Sequence, residues 1–405
     1  MTLVDILKKS GVGFTYGVSF PLTIVILDYW LKDCGVSNTT IGLFSLFHLP
    51  FVLKLFFAPI IDNFSIPYLS NKLGRRRSWV VFSQMMLICS VIIMANVDPR
   101  TNLGSLMLSA SLVALFDGFQ NIALYPYQRG DVSKDNYGYV AGIVSFGHRI
   151  GTITTKLVVL YLAHFAGWKV AYECASVLIF ICMIFVLLIN EPKIINDSNE
   201  LSLRNYTNVS TNNKLMSQID GLFDKQNGIY IFAVLVLYKA SDFLIQKMSR
   251  AFCLELGFSK LEIANIVQLF GSASVIIGGL ACGFFVKRYG VFRAMMYLSF
   301  AHMISLFSYL ALNVCGNNSN ILCGVVFFEG ITGGAVSAAF LAFLYDLCKN
   351  GSQYALLWAI HEIGGMFFRF TSGFFADAVS WTWFFIIVPL VSLPGIIVLN
   401  KLDKN

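Results

Sequence analysis

The stretch WKVAYECASVLIFICMIFVLLIN, Trp168 to Asn190, decides the fold. From Cys174 onward it carries no charge, and Ile, Leu, Val and Phe fill most of it. A helix rises about 1.5 Å per residue and a bilayer core is about 30 Å thick, so roughly 20 such residues cross it. A helix apolar on every side needs lipid or a large core around it.

Stretches of the same kind recur on both sides of it. Twelve spans are expected: 10–31, 41–61, 78–97, 103–125, 137–162, 168–190, 227–250, 260–285, 292–314, 320–345, 353–376 and 381–400. Composition agrees, because 57% of the 405 residues are hydrophobic and 13% are charged, against about 25% charged in ordinary soluble domains. Residues 191–226 differ, being rich in Asn, Ser and charge. They read as a cytoplasmic polar linker between an N-terminal six-helix half, 1–190, and a C-terminal six-helix half, 227–405. The expected class is an all-α membrane protein of twelve transmembrane helices in two halves.

Lys and Arg orient the chain. They crowd the segments assigned to the inside, among them Lys8, Lys9, Arg75, Arg76, Arg77, Lys287, Arg288 and Arg293, while the outer segments hold only Lys32 and Arg100. Lys169, Arg250 and Lys260 sit at span edges on that outer side. The asymmetry predicts both termini in the cytoplasm and a plasma-membrane (inner-membrane) location. It also accounts for the net charge of +7, so the basic residues read as topology signals and no nucleic-acid partner is expected. The first span lacks a cleavage site and reads as a retained helix. The nine cysteines show no CxxC pair or metal spacing, so no metal and no cofactor are expected.

Ionisable residues at membrane depth are expensive and mark function or internal pairing. The second span carries His48 and Lys54, the fourth Asp117, Gln120 and Asn121, and the fifth His148, Arg149 and Lys156. The seventh carries Lys239, Asp242, Gln246 and Lys247, the ninth His302, the tenth Glu329, and the eleventh His361, Glu362 and Arg369. Lys239, Asp242 and Gln246 share a helix face by their spacing of three and four. Two readings of Lys239 with Asp242 stand side by side, an internal ion pair and a pair that opens during transport. His48 and His302 read as packing histidines. No HExxH, GxSxG or GxxxxGK[ST] pattern is present, which argues against an enzyme and against direct use of ATP. Gly13 with Gly17, Gly147 with Gly151, and Gly279 with Gly283 are spaced for close helix approach. Pro21, Pro50, Pro389 and Pro394 are expected to kink spans.

Two loops look like copies of each other. Gly283-Phe-Phe-Val-Lys287-Arg288-Tyr-Gly290, followed by Arg293, resembles the GxxxDRxGRR loop of the major facilitator superfamily, with Lys287 where Asp is usual. In the first half Asp62 is followed, after an insertion, by Gly74-Arg75-Arg76-Arg77. A carboxylate facing such arginines can clamp one state, so Asp62, Arg75, Arg76, Arg77, Lys287 and Arg288 are gating candidates. Further stretches resemble the muropeptide permease (AmpG-type) branch of that superfamily. These are SLFHLPFVLKLFFAP at Ser45 to Pro59, GRRRSW at Gly74 to Trp79, Gly147-His148-Arg149-Ile150-Gly151, Gly167-Trp168, LYKASD at Leu237 to Asp242, Gly257-Phe258-Ser259 with Glu262, Glu329-Gly-Ile-Thr-Gly333-Gly334, and Gln353 to Leu357. The resemblance spans nearly the whole chain.

That resemblance implies the major facilitator fold and a monomeric secondary transporter in the bilayer. It also implies import of a small-molecule substrate, a cell-wall sugar-peptide, by proton symport through alternating access. Substrate-binding candidates are Lys54, Gln120, Asn121, Arg149, Lys239 and Asp242, with Tyr16, Tyr125 and Tyr238 to stack on sugar rings. Proton-coupling candidates are Asp117, Asp242, Glu329 and Glu362. One departure bears on this. The family's fourth span reads close to TQDIAxDAYR, whereas Phe119 to Arg129 is FQNIALYPYQR, with Asn121 and Tyr125 in place of two acids. Alternatives left open are another bulky anionic substrate such as an acyl-coenzyme A, transport without protons, and a non-transporting receptor or scaffold.

Overall fold

A computed structural model describes residues 3–49, 57, 60–61, 64–129, 137–189, 228–347 and 351–404. Among them every regular element is a helix. The chain forms two compact units, Met1–Val36 with Phe44–Thr207, and Ser37–Leu43 with Asn208–Asn405.

The early helices are α1 (Leu3–Ser19), α2 (Leu27–Asp33), α3 (Asn38–Leu43), α4 (Leu69–Leu73), α5 (Arg75–Ala95), α6 (Leu103–Arg129), α7 (Tyr137–Phe165) and α8 (Gly167–Leu188). The later ones are α9 (Gly228–Leu237), α10 (Ala240–Glu255), α11 (Lys260–Glu262), α12 (Gly271–Tyr289), α13 (Val291–Leu306), α14 (Ser308–Cys315), α15 (Ser319–Leu347), α16 (Gly351–Ala378), α17 (Trp381–Leu390) and α18 (Leu393–Lys404). Among the described residues nine helical stretches are long and apolar enough to cross a membrane. Two further helices, α7 with 29 residues and α16 with 28, have the length as well. The ionisable residues His148, Arg149 and Lys156 on α7 and His361, Glu362 and Arg369 on α16 lower their hydropathy. The remaining expected span, 41–61, lies only partly within the described residues. Large apolar side chains such as Leu280, Phe284 and Ile304 stay exposed, as a lipid-facing surface requires.

Within the first unit α1 and α7 touch backbone to backbone. A Cβ added at Gly147 would lie 1.9 Å from the Ser10 carbonyl oxygen, and one at Gly17 would lie 2.2 Å from that of His148. The spacing of Gly13, Gly17, Gly147 and Gly151 therefore has the predicted consequence. The third pair does not. Gly283 has nothing within 4 Å, whereas Gly278 would place a Cβ 1.9 Å from the Ile331 carbonyl oxygen. The α12–α15 contact is thus made one residue away from the expected register, because a helix turns about 100° per residue.

Pro21 precedes a π-helical turn, Leu22–Ile26, where a missing backbone N–H re-registers the ladder. Pro389 lies in the last turn of α17, and the helix breaks before α18. The two loop copies share one backbone conformation: Gly74 has φ 87 and ψ 162, Gly290 φ 77 and ψ 167. Each ends one helix and starts the next, a turn that only glycine makes without strain. The units share another device. Trp168 donates its indole N–H to Asp33 at 2.6 Å, and Trp381 donates to Glu255. Segment Ser37–Leu43 packs on α16, where Asp377 accepts the Thr39 backbone N–H at 2.6 Å and Gly373 abuts the Asn38 carbonyl.

Candidate functional site

In the first unit α1, α6 and α7 assemble a polar patch. The Ser19 hydroxyl donates to the Asp117 carboxylate, and Gln120 Nε2 donates to Ser19 Oγ at 3.1 Å and to the Thr15 carbonyl at 3.5 Å. Asp117, Gln120 and Ser19 are all buried. The fourth-span polar face is thus bonded to the first span. Asn121, one residue on, is half-buried. The His148 ring lies 4.7 Å from the Tyr16 ring and 5.6 Å from that of Phe20. Arg149 turns away from α1 and is exposed. Lys54 and Asp62 lie outside the described residues, as do the side chains of His48 and Tyr125.

The second unit gathers more titratable groups. Its seventh span is discontinuous: α9 ends at Leu237, Tyr238 and Lys239 form a turn, and α10 starts at Ala240. No Pro or Gly marks this break, so it is not legible from the residues alone. Asp242 falls in the first turn of α10, where free N–H groups and the helix dipole favour an anion. The turn also frees carbonyls of α9, and His361 Nδ1 donates to that of Leu235 at 2.7 Å.

Lys239 Nζ stands 3.0 Å from Asp242 Oδ2 and donates to Ser337 Oγ at 2.9 Å. Gln246 Nε2 donates to Asp242 Oδ1 at 3.2 Å, so the predicted three-residue face exists. His302 Nε2 lies 3.5 Å from the same Oδ1, and its Nδ1 lies 2.9 Å from Thr332 Oγ1. Asp242 and His302 are both buried. Glu329 accepts from the Tyr309 hydroxyl at 2.8 Å. Glu362 pairs with Arg369 at 3.1 Å, and that guanidinium covers the Phe243 ring at 4.6 Å. These two residues lie seven apart on α16, about two turns.

The loop arginines are half-buried, and Arg77 donates to the Ile189 carbonyl just past α8. A cation at a helix C-terminus satisfies the free carbonyls there. Lys287 and Arg288 are exposed, and Arg288 stacks on Tyr289 at 5.4 Å. No metal-binding group of His, Cys, Asp and Glu occurs among the described residues.

A multi-pass helical chain in two units, with glycine-turned basic loops and buried charge pairs, defines a transporter-type membrane fold. The chain belongs to the major facilitator superfamily, whose family model matches residues 10–315. It is 28% identical to the Rickettsia prowazekii protein named AmpG 1, covering 97% of each chain. It is 26% identical to the anhydromuropeptide permease of Escherichia coli, covering 96% of this chain and 77% of that one. Among solved structures, a mutant of the nucleoside transporter NupG matches with a TM-score of 0.67 at 13% identity, covering 98% of this chain and 99% of that one. The xylose transporter XylE of E. coli matches with a TM-score of 0.65 at 12% identity, covering 98% and 96%. Both likenesses bear on the fold, the all-helical major facilitator architecture.

Proposed function

We propose that this protein is a secondary transporter that imports cell-wall muropeptides with protons by alternating access. The observation that carries the reading is the Lys239–Asp242 pair at the break of the seventh span. Discontinuous helices with charge at the break are how such transporters hold ionic substrates and coupling ions. The similarity to the anhydromuropeptide permease supports the substrate class.

In this reading the termini lie in the cytoplasm, the protein works as a monomer in the inner membrane, and residues 191–226, which lie outside the described residues, link the two halves. The residues assigned to substrate binding are Lys54, Gln120, Asn121, Arg149, Lys239 and Asp242. Asp242, Glu329, Glu362 and Asp117 compete for the coupling role. Asp242 is the leading candidate, because Lys239, Gln246 and His302 all stand within reach of its carboxylate. The loop residues Asp62, Arg75, Arg76, Arg77, Lys287 and Arg288 act in gating.

Transport without protons is the second reading, favoured by Asn121 and Tyr125 where the family has acids. Uptake of a labelled muropeptide into proteoliposomes, with and without an inward pH gradient, separates the two. Proton symport predicts accumulation only with the gradient. Equal uptake in both conditions contradicts coupling, and no uptake in either contradicts the substrate.

A further inference from the structure

The hydrogen bonds around His302 cannot all be made with a single set of protons. Thr332 Oγ1 has one hydrogen and four acceptors within reach: the Phe328 carbonyl at 2.7 Å, the Glu329 carbonyl at 3.3 Å, His302 Nδ1 at 2.9 Å and Ser305 Oγ at 2.7 Å. Ser305 has one hydrogen as well, and the His302 carbonyl lies 2.7 Å from its oxygen. On the other side of the ring, Nε2 is buried and faces Asp242 Oδ1 across 3.5 Å without a formed hydrogen bond. A bare nitrogen lone pair opposite a carboxylate is repulsive, so a proton belongs in that gap.

Two proton counts fit one set of heavy-atom positions. In the first, Thr332 donates to Nδ1, the neutral imidazole carries its hydrogen on Nε2, and that hydrogen faces Asp242. In the second, one proton from water has been added. Nδ1 now donates to Thr332, the Thr332 hydroxyl has rotated onto the Phe328 carbonyl, and the imidazole and carboxylate together hold the extra proton. We propose that His302 and Asp242 form a binding site for one exchangeable proton, read out on the far side of the ring by Thr332. Use of this proton in transport rests on the function proposed above; the site itself does not.

The surroundings fit such a site. Gly333 leaves the ring its room, since a Cβ there would come 3.2 Å from His302 Cε1. Lys239 competes for Asp242 from the seventh span. Tyr238 also lies within the electrostatic reach of Asp242, and His361 of α16 within that of Lys239. Glu329 on α15, bonded to Tyr309 of α14, feels the charges of His302, Asp242 and Arg250. Loading therefore places positive charge beside Lys239, weakening its hold on Asp242, and forms a new bond to the α15 backbone at Phe328. An ion-pair change and a helix are thereby linked through one ring.

The test uses the purified full chain in lipid nanodiscs, without substrate, with 15N-labelled histidine. The chain has five histidines, and His302→Gln assigns the relevant imidazole. Should that variant not fold, the signal displaced by Thr332→Val assigns it instead. As the pH is lowered over the range in which the chain stays folded, the His302 signal should pass from singly to doubly protonated imidazole. Asp242→Asn and Thr332→Val should each lower the doubly protonated share at fixed pH by roughly ten-fold, the effect of one hydrogen bond to a charged group. A wild-type ring that stays singly protonated throughout, or a share unchanged in either variant, overturns the proposal. Absence of uptake in the transport assay would contradict the proposed function and leave this titration untouched.

Discussion

Lys239 and Asp242 stand 3.0 Å apart across the break in the seventh span, the lysine in the turn and the carboxylate in the first turn of the next helix segment. An ion pair inside one continuous helix would neutralise itself as a rigid unit. At a helix break, the backbone between the two residues can change, and the pair can open with it.

The pair gives the first prediction. Asp242→Asn alone leaves the Lys239 cation in apolar surroundings and should lower stability by about 3 kcal/mol, the lower end for a broken buried pair because Ser337 still holds the lysine. Adding Lys239→Met should recover most of that loss in a thermal unfolding assay, while uptake stays abolished. A double variant that transports like the wild type would reduce the pair to a structural role.

Gly147 and Gly283 form a matched comparison. Gly147→Ala drives a Cβ onto the Ser10 carbonyl, with no flexible side chain to yield, and should cost about 1–3 kcal/mol. Gly283→Ala enters open space and should leave the unfolding midpoint in detergent nearly unchanged. Equal destabilisation by both would contradict the described packing of α1 on α7.

The legible part of the fold was what the bilayer dictates. Span lengths and the glycine spacing of α1 and α7 follow from hydrocarbon thickness and from the absence of a Cβ, and both can be read from sequence. The Gly278 register and the break at Tyr238–Lys239 could not be read. Both depend on what a neighbouring helix presents, and a Leu-Tyr-Lys-Ala-Ser-Asp run favours no break by itself. In the candidate site, the Asp242, Lys239 and Gln246 face followed from helix periodicity. His302 looked like packing because its partners, Asp242 and Thr332, sit on two other helices far off in sequence.

Arg149 is exposed on α7. Arg149→Ala should therefore shift stability by no more than about 0.5 kcal/mol and abolish uptake. Arg149→Lys should restore it only in part, since an ammonium lacks the guanidinium fork that holds a carboxylate on two bonds. Full transport by Arg149→Ala would remove this residue from the binding group.

Charge asymmetry sets the topology prediction. A reporter active only outside the cytoplasm should be silent when fused at Asn405 and active in the loop at Asn317. The reverse pattern would invert every side assignment and place the glycine-turned basic loops outside.

The central claim is muropeptide import, and its most direct test is uptake of a labelled anhydro-muropeptide by cells that lack their own permease. With this protein demonstrably in the membrane, the label should accumulate above the empty control, and a protonophore should abolish the accumulation. No accumulation above the control would contradict the claim.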